Sequence, residues 1–128
     1  MGMYTELILG CELNKNTPNE VIETLKYILG EIEEKPTNFP FNNKSTRLEW
    51  LLRGSSGYFP CAHHSLKQCD FLRNYIIDVR CNIKNYLNEI EDFLEWLHPY
   101  ISCGSGNKNM YAIVIYEEQD TPTIYYKN

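Results

Sequence analysis

An α+β fold, two helices on one face of an antiparallel sheet, is what the sequence predicts, and three observations carry it. Residues 4–13 (YTELILGCEL) alternate at the period of a half-buried strand, with Leu7, Leu9, Cys11 and Leu13 on one side and Glu6, Ile8 and Glu12 on the other. Two stretches, one after Pro18 and one after Asn85, repeat apolar residues at spacings of three and four, the period of amphipathic helices. Residues 110–117 (MYAIVIYE) are apolar on both faces, as an interior strand is.

Between these anchors the remaining elements follow in order. Thr17-Pro18-Asn19-Glu20 has the form of a capping box around a proline at the first helical position, and it opens a helix with Ile22, Leu25, Leu29 and Ile32 on one stripe. Gly30 or Pro36 ends it. Residues 36–46 (PTNFPFNNKST) read as a loop that pins Phe39 or Phe41 onto the core. Residues 47–53 (RLEWLLR) alternate Leu48, Trp50 and Leu52 against Arg47, Glu49, Leu51 and Arg53 and read as a strand, broken by Gly54-Ser55-Ser56-Gly57. A longer strand follows over 71–83, with Tyr75, Ile77, Val79, Cys81 and Ile83 on one side and Asn74, Ile76, Asp78, Arg80 and Asn82 on the other. The second helix runs from about Asn85, carrying Tyr86, Ile90, Phe93 and Leu97 with Leu87, Leu94 and Ile101 beside them. After it, residues 123–127 (TIYYK) pair back on 110–117 across Gln119-Asp120-Thr121-Pro122 as a hairpin.

The resulting order, βαββαββ, predicts a single domain over residues 1–128 with the ferredoxin-like split βαβ pattern, βαββαβ plus a C-terminal edge strand. The strands near 4–13 and 71–83 are expected to be central.

Composition bounds the function. The chain has 128 residues, 43% of them hydrophobic and 13% aromatic, which places it with folded rather than disordered sequences. It has no apolar run long enough to span a membrane and no basic-plus-apolar leader, so the expected location is the cytoplasm. Five cysteines, Cys11, Cys61, Cys69, Cys81 and Cys103, at irregular spacing without a Cys-x-x-Cys pair, read as free thiols. The net charge of −5 argues against a general nucleic-acid binder, yet residues 47–84 carry six Lys or Arg against three acids while both flanks are acidic.

Catalytic and metal-binding patterns are weak. Cys61, His63, His64 and Cys69 offer four soft ligands within nine residues, but a structural zinc site pairs two knuckles and only one is present, so a polar surface loop is the preferred reading and no metal or cofactor is expected. Cys61 or Cys103 with His63, His64 or His98 supplies the residue types of a small Cys/His-dependent enzyme without its motif. Ser55 and Ser105 lie in glycine-rich turns rather than in a nucleophile elbow, and no phosphate-binding loop is present. His98 beside Pro99 is expected to favour the negative end of the second helix rather than to catalyse.

Two surfaces are candidates for binding. Arg47, Arg53 and Arg80, with Tyr58 and Phe59 in the adjoining loop, are expected on the open sheet face, where a basic and aromatic surface suits nucleic acid or another anionic ligand. Glu49 and Asp78 on the same face point instead to charge pairing in water, the reading preferred here. Ile124, Tyr125 and Tyr126 form an uncharged aromatic edge that invites pairing with another chain, either a second copy in a homodimer or a partner.

Four stretches, residues 3–13 (MYTELILGCEL), 17–33 (TPNEVIETLKYILGEIE), 80–101 (RCNIKNYLNEIEDFLEWLHPYI) and 111–128 (YAIVIYEEQDTPTIYYKN), together resemble a family of small uncharacterised proteins of bacteriophages and prophages. The resemblance is weakest over 36–70 and carries no catalytic or binding motif. It implies a mobile-element accessory protein that engages a bacterial host protein or a small ligand. With catalytic motifs missing and aromatics abundant, the expected function is a non-enzymatic binding module, acting in the host cytoplasm if phage-encoded.

Overall fold

The computed structural model describes residues 4–57, 59, 61–69, 74–102 and 109–127. Within them lie β1 (Thr5–Glu12), α1 (Asn19–Ile28), β2 (His63–Gln68), β3 (Tyr75–Ile83), α2 (Glu89–Leu97), β4 (Met110–Tyr116) and β5 (Thr123–Tyr126). The strands form one sheet in the order β2-β3-β1-β4-β5, every neighbouring pair antiparallel. The protein is thus α+β, with two helices on a five-stranded antiparallel sheet, and β1 and β3 are interior strands.

The register separates the two faces. Leu7 stands opposite Cys81 and Val114, and Leu9 opposite Val79 and Ala112. All six are essentially buried, and they join Ile22, Leu25 and Ile28 of α1 and Ile90, Phe93 and Leu97 of α2 in one core cluster. Alternation therefore turns Glu6, Ile8, Gly10, Asp78, Arg80 and Asn82 to the other face of the sheet. Phe39 and Phe41 are buried as the loop reading expects, 5.6 Å apart edge to face, and Phe41 meets Trp96 of α2 at 5.5 Å.

Local expectations are corrected in three places. Residues 47–53 are not a strand: Thr46–Glu49 and Leu51–Arg53 are two short 3-10 helices that bury Leu48, Leu51 and Leu52. Ser45 starts them, its hydroxyl accepting the Arg47 N–H at 3.2 Å. The strand expected there is supplied instead by β2, a polar segment in which Leu66 alone is buried.

Thr17 does not cap α1. Its hydroxyl donates to Asn14 O at 2.6 Å, closing the preceding turn, and Pro18 occupies the N-cap position without a side-chain bond. The helix also stops at Ile28, short of Ile32, because Gly30 turns to φ 81° and ends it.

The second helix begins at Glu89 rather than near Asn85, because the Asn85 side chain acts from outside it. Asn85 Oδ1 accepts the Ile90 N–H at 2.8 Å while its Nδ2 donates to Glu91 at 2.7 Å. Tyr86 and Leu87 consequently stay outside the helix and exposed, not on its apolar stripe.

His98 stands at the C-cap position of α2. The His98 carbonyl accepts from the Lys127 ammonium, and the His98 ring packs on Tyr111 at 6.0 Å.

The open sheet face as candidate functional site

Residues that stand opposite one another on antiparallel strands share a face, so the register writes the open face as rows. One row reads His63, Arg80, Ile8, Ile113, Ile124 across β2, β3, β1, β4 and β5. The row on one side of it reads Asn82, Glu6, Ile115, and the row on the other begins Ser65, Asp78, Gly10. The face is therefore divided: polar and charged over β2, β3 (Ile76 excepted) and Glu6 of β1, aliphatic from Ile8 across β4 and β5.

The polar half is internally bonded. Arg80 grips Glu6 with two donors, Nε to Oε2 at 2.8 Å and Nη2 to Oε1 at 3.2 Å. This bidentate carboxylate raises the guanidinium pKa above its already high ordinary value. Glu6 is 1% exposed although it lies on the open face. Its neighbour across the strands, Asn82, is equally buried and donates from Nδ2 to Phe59 O at 3.0 Å, tying Phe59 down over the sheet. The Asn82 N–H also reaches Gly54 O at 3.0 Å. Asn82 Oδ1 is a buried acceptor without a hydrogen bond from the described residues. His63 Nε2 lies 3.2 Å from Asp78 Oδ1, both side chains largely in water.

The aliphatic half is uncovered at its margin. Ile124 is 42% exposed, Met110 44% and Tyr126 53%. A Cβ added at Gly10 would meet nothing within 4 Å, so the surface dips beside Ile8. Beyond Ile124 the sheet ends. The Lys127 N–H donates inward to Asn109 O at 2.8 Å, and alternation along the strand turns the N–H and C=O of Ile124 and Tyr126 outward. Tyr125 faces the opposite way, against Tyr111 at 6.1 Å, and burial pushes its phenol pKa up.

The three arginines expected together are dispersed. Arg80 is on the open face, whereas Arg47 and Arg53 sit on the 3-10 helices, away from the sheet face. Arg47 is held by Glu89 at 2.7 Å and stacks its guanidinium 5.5 Å from the Tyr86 ring centre. Arg53 donates to Ile28 O at 2.9 Å and to Glu49 O at 3.2 Å. Phe59 adjoins the face through its carbonyl, and Tyr58 lies outside the described residues.

The four soft ligands are likewise drawn apart. His63 and His64 are consecutive in β2 and so project to opposite faces, and Cys61 and Cys69 flank the strand at its two ends, roughly 26 Å apart along an extended chain. Among the described residues no group of three His, Cys, Asp or Glu side chains is arranged to hold a metal ion. Cys103 lies outside the described residues, and the other four cysteines are free thiols.

Comparison of the chain with protein-family models, with curated proteins and with solved structures finds no match. No helix among the described residues is long and apolar enough to cross a membrane. The Glu6–Arg80 pair was visible in the sequence as two charges of opposite sign on one strand face each; their adjacency is a property of the register and has no local signal.

Proposed function

We propose that the protein is a non-enzymatic binding module that engages a bacterial protein through the aliphatic half of its open sheet face and the adjoining edge of β5. The phage and prophage resemblance supports placing it among mobile-element accessory proteins. One observation carries the reading: the row Ile8, Ile113, Ile124 runs in register to a sheet edge whose outward N–H and C=O groups belong to residues without charge. An added strand would gain main-chain hydrogen bonds from Ile124 and Tyr126 and apolar contact from Ile113 and Ile124. For the chain path we propose the ferredoxin-like split βαβ pattern, supported by the interior positions of β1 and β3 and by β5 at the edge.

The test is capture from bacterial lysate by the folded protein and by its Ile113→Lys and Ile124→Lys variants, with circular dichroism confirming that each folds. One defined protein is expected with the parent chain and neither variant, accompanied by slowed hydrogen exchange at the Ile124 and Tyr126 amides. Capture unaltered by both variants, or no capture at all, overturns the reading. Native mass spectrometry of the isolated protein separates a second copy on this edge from a foreign partner.

A further inference from the structure

The helical side of the molecule, away from the open sheet face, carries a furrow made of three adjoining hollows. They measure about 390, 460 and 380 Å³. The first and second share Pro40, Trp96 and Tyr100, and the second and third share Glu95 and Pro99, so the three follow one another across the outer surface of α2.

The floor is aromatic. Trp96 stands between Phe41 at 5.5 Å and Tyr100 at 6.1 Å, both edge to face. The walls are acidic: Glu20 and Glu23 flank the first hollow, Asp92 and Glu95 the second, and Glu91 the third. Among the described lining residues Lys44 is the one Lys or Arg, and it is already 3.6 Å from Asp92. Glu23 accepts from Asn19 at 3.1 Å and Glu91 from Asn85 and Tyr116, all neutral donors, so among the described residues Glu20, Glu23, Glu91 and Glu95 keep their negative charge without a Lys or Arg partner.

We infer that this furrow seats an extended basic segment of a partner protein, with Lys or Arg side chains entering successive hollows. Charge complementarity is the first argument, because a concave surface lined by one sign concentrates ligands of the other. The aromatic floor is the second, since indole and phenol faces attract ammonium and guanidinium groups once water is displaced. The protein uses that contact itself where the Lys35 ammonium lies 4.8 Å from the Phe39 ring centre. The third is shape: three hollows in series suit alternate side chains of an extended chain better than one compact ligand. Of β5 only Tyr125 lines the furrow, on the face away from Ile124, so either surface can fail without the other.

The experiment uses the full chain carrying Trp50→Phe, which leaves Trp96 as the single indole. An eight-residue peptide alternating Arg or Lys with Ala is titrated while Trp96 emission is followed. A saturable change is expected, weakening at least tenfold between 20 mM and 300 mM salt. The variant Glu23→Gln/Glu95→Gln is expected to weaken binding at least fivefold, whereas Glu118→Gln/Asp120→Asn, which removes the same charge from the exposed hairpin turn, changes it less than twofold. An equal loss in both variants, or no emission change at low salt, overturns the inference. Spermidine, which has charge without side chains to fill hollows, is expected to compete only at more than ten times the peptide concentration; competition at equal concentration overturns the assignment to a peptide.

Discussion

The Arg47 guanidinium meets the Glu89 carboxylate at 2.7 Å across 42 positions of chain, and Glu89 is fully buried. Burial by itself would push the Glu89 pKa up, but hydrogen bonds from Arg47, from the Leu87 N–H and from Ser45 outweigh it and hold the carboxyl below its ordinary value. The pair fastens the 3-10 segment to the start of α2.

Glu89→Gln is therefore expected to leave Arg47 without its counter-charge and to cost about 3 kcal/mol, read as a lowered urea midpoint at unchanged slope. The sign with pH follows from the direction of the shift. Because the folded pKa is depressed, the contribution is complete above the ordinary value of 4.5 and is lost as the pH falls through the folded value. Midpoints of the parent and of Glu89→Gln measured from pH 7 down to pH 3 should converge, the parent losing more.

The Glu6–Arg80 pair predicts a non-additive cycle. Arg80→Gln strands a buried carboxylate and is expected to destabilise by about 3 kcal/mol, while Glu6→Gln/Arg80→Gln recovers about half of that loss. Thermal unfolding of the four proteins checks it, and strict additivity would show that the two side chains are energetically independent.

Gly54 is expected to tolerate no side chain. An added Cβ would lie 2.5 Å from both Asn82 O and Ile83 Cγ2, one of them main chain, so Gly54→Ala must move the connection off β3. A cost of about 2 kcal/mol is expected, together with faster exchange of the Asn82 amide that bonds to Gly54 O.

Thiol labelling should resolve the described cysteines by environment. Burial pushes the Cys11 and Cys81 thiols up to about 12, so neither forms thiolate near neutrality. Cys61 is exposed and is expected to react first with a disulfide reagent at pH 8, whereas Cys81 should react only on unfolding. Prompt modification of Cys81 in the folded protein would contradict the packing of Leu7 against it.

Much of this fold is legible in the sequence where side-chain period and burial agree. β1 and β3 alternate because one face of each is buried, α1 shows its stripe, and the β4–β5 hairpin is marked by apolar runs around a polar turn. The failures have a common physical origin. RLEWLLR alternates in sequence, yet Leu48, Leu51 and Leu52 are the buried residues, and their spacing of three and one belongs to a helical turn. HHSLKQ is a strand by virtue of the hydrogen bonds β3 offers it, and as an edge it needs only Leu66 inside. The misplaced strand carried Arg47 and Arg53 onto the wrong surface with it. The aliphatic half of the open face was half visible, since Ile8 was placed outward, but Ile113 and Ile124 meet it only through pairing.

The irregularity between Met110 and Ala112 gives the β4–β5 hairpin a change of phase. Tyr111 and Ala112 are consecutive and both buried, so odd and even positions exchange their meaning at that point. Removing one residue there would restore plain alternation and leave Ile113 opposite Ile124, while Asn109 and Met110 would have to rotate by one side chain. The extra residue thus works as a clutch between two strand registers: it lets the chain leaving α2 enter the sheet in one phase and cross the open face in the other.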